Sequence, residues 1–79
     1  MMVTVHMHGN LRRFMPEGRD RMAMDVGEGA TIRAVLASIG AERDTWLVAV
    51  NGAAVEPDRV LAPGDQLDCY EPMTGGREA

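Results

Sequence analysis

Regular alternation of apolar and polar residues predicts a β-strand at each end of the chain. The first strand covers residues 3–8, where the two faces take alternate residues: Val3, Val5 and Met7 on one face, Thr4, His6 and His8 on the other. The last strand covers residues 66–71, where Leu67 and Cys69 share an apolar face. Each strand is therefore expected to bury one face and to expose the other.

Two further strands are predicted in the middle of the chain. Residues 22–26 alternate in the same way, and the apolar run at 46–50 is typical of a buried strand. The Asn-Gly pair that follows is a strong hairpin signal, with residues 53–55 returning briefly. Residues 11–21 contain proline and glycine, so we expect a loop there with a short helical turn.

A single amphipathic helix is predicted between the two pairs of strands. Thr31 suits its N-cap, because a threonine hydroxyl accepts hydrogen bonds from the free amides of the first turn. The apolar stripe with helical spacing consists of Ile32, Val35, Leu36 and Ile39. Gly40 fits the left-handed position just past the helix end, so a length of about three turns is expected.

The order of these elements predicts an α+β fold with one domain. A helix on one face of a small mixed sheet of four to five strands would bury both kinds of apolar stripe. The first and last strands should lie together at the centre, because sheet edges prefer short strands. This is the β-grasp architecture, expected over residues 1–72, with residues 73–79 as a flexible tail.

Composition narrows the functional classes. The 79 residues are 46% hydrophobic and carry 8 Lys+Arg against 12 Asp+Glu, a formal net charge of −4. So acidic a chain is a poor candidate for binding nucleic acid or an anionic membrane. One cysteine allows no internal disulfide, and no apolar run suits a membrane span or a signal peptide. We therefore expect a cytoplasmic protein, too small for an enzyme with a deep pocket of its own.

Five short motifs follow one another along nearly the whole chain. They are Val3-Thr4-Val5 leading into Gly9-Asn10-Leu11-Arg12, Gly29-Ala30-Thr31-Ile32, Val48-Ala49-Val50-Asn51-Gly52, Leu61-Ala62-Pro63-Gly64-Asp65, and Tyr70-Glu71-Pro72-Met73-Thr74-Gly75-Gly76. In this combination the chain resembles the ubiquitin-like sulfur carriers, the family of the molybdopterin synthase small subunit and the thiamine-pathway sulfur carrier. Residues 9–18 look more like the former than like the shorter thiamine carrier.

The resemblance implies that the chain is not an enzyme and that its own terminus is the substrate. In the family, an ATP-dependent, ubiquitin-activating-like enzyme adenylates the terminal glycine, and sulfur from a persulfide then displaces AMP to leave a thiocarboxylate. The matching residue here is Gly76, preceded by Gly75. The implied partners are this adenylating enzyme, a sulfurtransferase and the acceptor subunit of a synthase. Molybdopterin synthesis is the expected pathway.

The residues after the second glycine depart from the family pattern. Mature carriers end at that glycine, whereas Arg77, Glu78 and Ala79 follow it here. The resemblance implies either a precursor that a metalloprotease trims or a relative that never carries sulfur. A third explanation is that these three residues come from cloning. A ubiquitin-like modifier joined to other proteins through Gly76 and a non-carrier β-grasp binding module or enzyme subunit stay open as alternatives.

The sheet face away from the helix is the expected docking surface, since the family docks through this face. Trp46 is expected to be half-buried and to point inward, which places the residue after it outward. The predicted docking patch consists of Leu47, Ala49, Tyr70, Pro72 and Met73. The alternative is that these are ordinary exposed residues of an open sheet.

Other candidate residues carry weaker signals. His6 and His8 share a strand face, which suits a metal, but a third ligand is missing. Cys69 should lie on the opposite, apolar face, where a thiol is usually inert. No metal, cofactor or catalytic residue is therefore expected. A local basic cluster either contacts an acidic partner or is a solvated loop, and it consists of Arg12, Arg13, Arg19 and Arg21.

Overall fold

The computed structural model describes residues 1–72 of the chain. These residues form a five-stranded mixed sheet with one α-helix on one face. The elements in chain order are β1 (Met2–Met7), β2 (Arg21–Asp25), α1 (Ile32–Ile39), β3 (Leu47–Val50), β4 (Ala53–Val55) and β5 (Gln66–Tyr70). The strand order is β2-β1-β5-β3-β4, with β1 and β5 parallel and the other pairs antiparallel. This confirms the β-grasp prediction, with the first and last strands adjacent at the centre.

The core lies between α1 and the sheet. The helix contributes the apolar stripe that its spacing predicts, and the two central strands contribute alternate residues from one face each. The buried side chains include Ile32, Val35 and Leu36 of the helix, Val3, Val5 and Met7 of β1, Val48 and Val50 of β3, and Leu67 and Cys69 of β5. Because side chains alternate along a strand, the other residues of β1 and β5 are left for the opposite face.

The helix begins and ends where the sequence predicts, but it is shorter than expected. The Thr31 hydroxyl accepts a hydrogen bond from the amide of Ala34 at 3.1 Å, as an N-cap should. Gly40 takes a left-handed conformation with φ of 90°, and its amide donates to the Leu36 carbonyl at 3.0 Å. Both caps are non-helical, so eight residues, about two turns and not three, are left between them.

The segment between β1 and β2 closes one end of the core. It forms two short 3-10 helices, Gly9–Phe14 and Pro16–Gly18, where the sequence predicts a loop with one helical turn. Leu11 and Met15 are buried beside the central strands. The segment therefore packs as part of the domain and brings its backbone close to the end of β5, where the amide of His8 donates to the Cys69 carbonyl at 3.0 Å.

Candidate functional site

The sheet face opposite the helix, called the outer face below, collects the polar and aromatic residues of three strands. In the parallel pairing of β1 with β5, His6 lies opposite Asp68. In the antiparallel pairing of β3 with β5, Leu47 lies opposite Tyr70. Residues opposite one another on neighbouring strands share a face, so the register brings these side chains together. The structure thus puts Tyr70 and Leu47 of the predicted docking patch side by side.

Three rings form a row along the outer face. The His6 and His8 rings are 4.0 Å apart between centroids and tilted by 36°. The His8 and Tyr70 rings are stacked at 4.3 Å and 14°. Ring contacts of this kind favour particular orientations of the side chains involved. The row therefore presents a defined surface.

An apolar hollow adjoins the end of this row. Its lining is formed by His8, Gly9, Trp46, Leu47, Tyr70 and Glu71. Trp46 is 69% exposed and Leu47 40% exposed, both high for large apolar residues. An exposed tryptophan and leucine beside a tyrosine make a surface of the composition that partner proteins bind.

The exposure of Trp46 contradicts the prediction that it is half-buried and points inward. Strand β3 begins at Leu47, so Trp46 precedes the regular alternation that the prediction extended to it. Its backbone amide donates to the Tyr70 carbonyl at 2.8 Å, which holds it next to the end of β5. Alternation alone could not reveal this, because the start of β3 at Leu47 is not marked in the sequence.

Of the other residues of the predicted patch, Ala49 offers little exposed surface, Pro72 is exposed and Met73 is not described by the structure. Ala49 lies opposite Asp68 on β3 but is only 9% exposed, so it offers little contact area. Pro72 is exposed just after the end of β5. Met73, Gly75 and Gly76 lie outside the described residues, as do Arg77–Ala79.

Glu71 fixes the place where the chain leaves the sheet. Its carboxylate accepts a hydrogen bond from the amide of Asn10 at 2.9 Å. A Cβ at Gly9 would lie 2.9 Å from the same carboxylate oxygen, and Gly9 has φ of 62°, so this close approach favours glycine. Arg13 adds ion-pair contacts of 3.4 Å to Asp44 and 3.8 Å to Glu71. The exit point is thus tied to the segment after β1.

Three arginines of the predicted basic cluster make local contacts within the domain. Arg13 pairs with the acidic side chains beside it and lies over the Phe14 ring at 4.5 Å. Arg12 donates to the Gly18 carbonyl at 3.2 Å, and Arg21 reaches the His6 ring at 3.5 Å. These local contacts are typical of a solvated loop and favour that interpretation over contact with an acidic partner.

Cys69 is placed as the sequence predicts, on the helix side of the sheet and fully buried. Burial, with a smaller effect of the Asp68 charge, raises the pKa of its thiol to about 12. The thiolate is the reactive form, so this cysteine is unsuited to nucleophilic chemistry at neutral pH.

The histidine pair does have a third partner, which contradicts the expectation that one is missing. Asp68 Oδ1 lies 3.0 Å from His8 Nε2 and 3.2 Å from His6 Nδ1. Burial acts to raise the pKa of Asp68, but hydrogen bonds with His8 and Gln66 outweigh it and lower the pKa below its usual value. Alternation alone put Asp68 on the correct face, and only the strand register shows that it lies beside both rings.

These features define a β-grasp protein with an exposed apolar hollow next to the exit of its C-terminal segment. The sequence profile of the ThiS family matches residues 7–76. The chain therefore belongs to the ThiS family, and the resemblance to the ubiquitin-like sulfur carriers is confirmed. The match ends at Gly76, the second residue of the predicted Gly-Gly pair.

Solved structures share the same fold. SAMP1 from Haloferax volcanii is 21% identical with a TM-score of 0.75, covering 96% of this chain and 100% of its own. A putative molybdopterin converting factor subunit 1 from Pyrococcus furiosus is 23% identical with a TM-score of 0.74, covering 92% and 99%. A complex of subunits 1 and 2 of the molybdopterin-converting factor from Helicobacter pylori matches at 23% identity and a TM-score of 0.59, covering 96% and 100%. At these identities the likeness shows the fold.

A comparison with curated protein sequences gave no significant match. Within residues 1–72, none of the helices has the length and apolar character that crossing a membrane requires.

Proposed function

We propose that this chain is a sulfur carrier whose reactive group is the carboxyl of Gly76. The observation that carries the proposal is the extent of the family match, which runs through Gly75 and stops at Gly76. Arg77–Ala79 have to be removed first, because an amide bond to Arg77 leaves no free carboxylate on Gly76. A metalloprotease is the proposed trimming enzyme.

The chemistry at that carboxyl consists of adenylation, transfer of sulfur from a persulfide and cleavage of an S–S bond. An adenylating enzyme joins the Gly76 carboxylate to the α-phosphate of ATP and releases pyrophosphate. A sulfurtransferase persulfide then attacks the acyl carbon and AMP leaves with the electron pair of the broken C–O bond. A second thiol cleaves the resulting S–S bond, which gives the thiocarboxylate and a disulfide between the two enzyme sulfurs. The chain contributes the carboxyl group and no catalytic residue.

The described residues suit a carrier that docks with one surface and reacts at a distance from it. Residues 1–72 form the docking domain, and the segment after Tyr70 leaves from the edge of the apolar hollow. The six residues 71–76 can span at most roughly 20 Å when extended. Glycine at the last two positions has no Cβ and can thread a narrow channel. Partner and reacting carboxyl can therefore meet while the outer face stays in contact.

We assign docking of the adenylating enzyme and of the acceptor synthase subunit to the hollow around Trp46, Leu47 and Tyr70. The support is its exposure, its apolar lining and its position beside the chain exit. Pro72 and Met73 extend the docking patch along the segment that leads to Gly76. The same surface serves both partners in turn, since each has to receive the same terminus.

Molybdopterin synthesis is the proposed destination of the sulfur. The support is that residues 9–18 resemble the molybdopterin synthase small subunit more than the shorter thiamine carrier. Two of the structural relatives are a putative molybdopterin converting factor subunit 1 and a complex of subunits 1 and 2 of the molybdopterin-converting factor.

A second candidate function is protein modification through Gly76. Two matched structures are of a small archaeal modifier protein, which has the same fold. This function needs the same adenylate, but a lysine amine then attacks it and leaves an isopeptide bond. The two candidates therefore differ in the product, which is a thiocarboxylate in one case and a covalent protein adduct in the other.

Adenylation in vitro tests the proposal. Chains that end at Gly76, at Gly75 and at Ala79 are incubated with the adenylating enzyme from the same cells and ATP, and exchange of labelled pyrophosphate into ATP is measured. We expect exchange with the chain that ends at Gly76 and at least about tenfold less with the other two. Equal exchange by all three chains, or none by the chain ending at Gly76, would contradict the carrier function.

A further inference from the structure

The His6, His8 and Asp68 cluster on the outer face has no part in the carrier chemistry. His6 and Asp68 are neighbours in the parallel pairing of β1 with β5, and His8 follows on the same face. One ligand atom from each of the three side chains can be chosen so that all lie within 4.8 Å of one another. Two central strands of the sheet thus position the cluster, which makes its geometry a property of the fold.

The two imidazoles approach the same carboxylate oxygen. Asp68 Oδ1 is 3.0 Å from His8 Nε2 and 3.2 Å from His6 Nδ1. In a tetrahedral zinc site with bonds of about 2.0–2.1 Å, neighbouring ligand atoms lie about 3.3 Å apart. The two measured distances are close to that value, and all three ligand atoms can be chosen within 4.8 Å of one another. An ion could therefore enter after ring rotations that bring the two imidazole nitrogens closer by up to about 1.5 Å.

Neighbouring groups hold each ligand in place. Asp68 is only 8% exposed, and Gln66 donates to its second oxygen, Oδ2, at 3.4 Å. The His8 ring is stacked on Tyr70. The Asp20 carboxylate lies 3.8 Å from His6 Nε2, on the ring nitrogen that does not face Asp68. At 3.8 Å this is a charge contact, longer than the hydrogen bond that a second-sphere carboxylate makes to a ligating histidine in metal sites.

The choice of ion follows from the donor atoms. Two imidazole nitrogens and one carboxylate suit zinc and its transition-metal neighbours, whereas magnesium and calcium prefer oxygen ligands only. We propose that His6, His8 and Asp68 bind a zinc-type divalent ion, with the fourth position open to water or to a side chain of a docked partner. The His8 side chain is 32% exposed, which gives the ion access from solvent.

This site does not use Gly76, Trp46 or Leu47, but it shares His8 with the lining of the hollow. The alternative is that Asp68 accepts hydrogen bonds from the two rings and binds no ion. Arg21 Nη2 lies 3.5 Å from His6 Nδ1, so the guanidinium has to move aside when an ion binds. Arg21 is an exposed residue at the start of β2, so such a movement costs little free energy.

The test is a titration of zinc chloride into the untagged, metal-free full chain, followed by calorimetry. Cobalt(II) absorption reports the coordination geometry, and the imidazole NMR signals report which rings bind. We expect one ion per chain, a tetrahedral cobalt spectrum and shifts of both histidine rings. His8→Gln and Asp68→Asn should each weaken zinc binding by more than about tenfold. Asp44→Asn, a carboxylate change outside the cluster, should leave it unchanged.

Two outcomes would overturn the site: wild-type protein that binds no zinc, or variants His8→Gln and Asp68→Asn that bind it as tightly as wild type. Thermal unfolding without metal shows whether each variant folds. If Asp68→Asn does not fold, His8→Gln decides the question, because its partly exposed side chain can be changed without opening the core.

Discussion

The side chains on the two faces of the sheet differ in their contacts and in their exposure to solvent. The face under α1 is aliphatic and closed, with Leu67 and Cys69 of β5 fully buried. On the outer face, Asp68 and Tyr70 of the same strand contact His6 of β1 and His8 just after it, and Leu47 is left exposed beside them. One strand of five residues thus supplies both packing and recognition. The comparison teaches that alternation separates the residues that hold the fold from those that meet a partner.

The largest expected difference between the faces is in thiol reactivity. In the folded chain the pKa of Cys69 is about 12 against an ordinary value of 9.0, so at pH 8 the thiolate is about a thousandfold rarer. Alkylation of the native protein by iodoacetamide should be slower than that of the denatured chain by about two to three orders of magnitude. The measurement is the mass-spectrometric rate of adduct formation.

An outer-face thiol provides the matched control for this rate. In a Cys69→Ser background, Leu47→Cys should react within about tenfold of the denatured rate, because position 47 is 40% exposed. Similar rates for the two native thiols would show that the faces are not distinct in access to solvent.

The next largest effect is expected from truncating one leucine on each face. Leu67→Ala removes a fully buried side chain from the core and should lower the free energy of unfolding by about 3 kcal/mol. Leu47→Ala, on the neighbouring strand but the outer face, should lower it by less than about 1 kcal/mol. Urea unfolding followed by circular dichroism compares the two. Equal losses would mean that the outer face is part of the core.

The affinity for the adenylating enzyme should depend on the outer face, whereas the free energy of unfolding depends mainly on the face under α1. Leu47→Asp puts a charge into the proposed contact and should weaken binding to the adenylating enzyme by about tenfold or more. Val60→Asp is the control, because Val60 is 54% exposed and lies away from the hollow, next to Thr31. Isothermal titration with the chain ending at Gly76 gives both affinities. The docking assignment fails if both variants bind alike.

The smallest effect is expected at the helix N-cap. Thr31→Ala removes the hydroxyl that accepts from the Ala34 amide and should cost about 1 kcal/mol of unfolding free energy. Thr31→Ser keeps the hydroxyl and should recover most of it. Affinity for the adenylating enzyme should stay unchanged in both, since α1 lies on the other side of the sheet. A loss of affinity in Thr31→Ala alone would place the helix in the interface.

The sequence was sufficient for the elements whose signals are local. Thr31 and Gly40 fixed the ends of the helix, and alternation correctly gave Leu67 and Cys69 to the core. The central pairing of the first and last strands followed from the general avoidance of long edge strands. The family resemblance rested on motifs spread over the chain, which is why the match from residue 7 to 76 confirmed it.

The parts that were missed depend on where elements begin and on register. Trp46 lies one residue before β3, so extending the alternation to it gave the wrong face. The contact of Asp68 with both histidines requires that β1 and β5 pair in one particular register, which no local pattern encodes. The helix has eight residues, about two turns where about three were predicted, although both of its caps were assigned correctly.

The central claim is that Gly76 carries sulfur, and the mass of the protein recovered from its native cells tests it most directly. The carrier function predicts that Arg77–Ala79 are absent and that a species roughly 16 Da heavier than the trimmed chain accumulates, with sulfur in place of one carboxyl oxygen. A chain that keeps Arg77–Ala79 and carries no modification during growth that demands sulfur transfer would contradict the claim, and the outer face would then act as a binding surface alone.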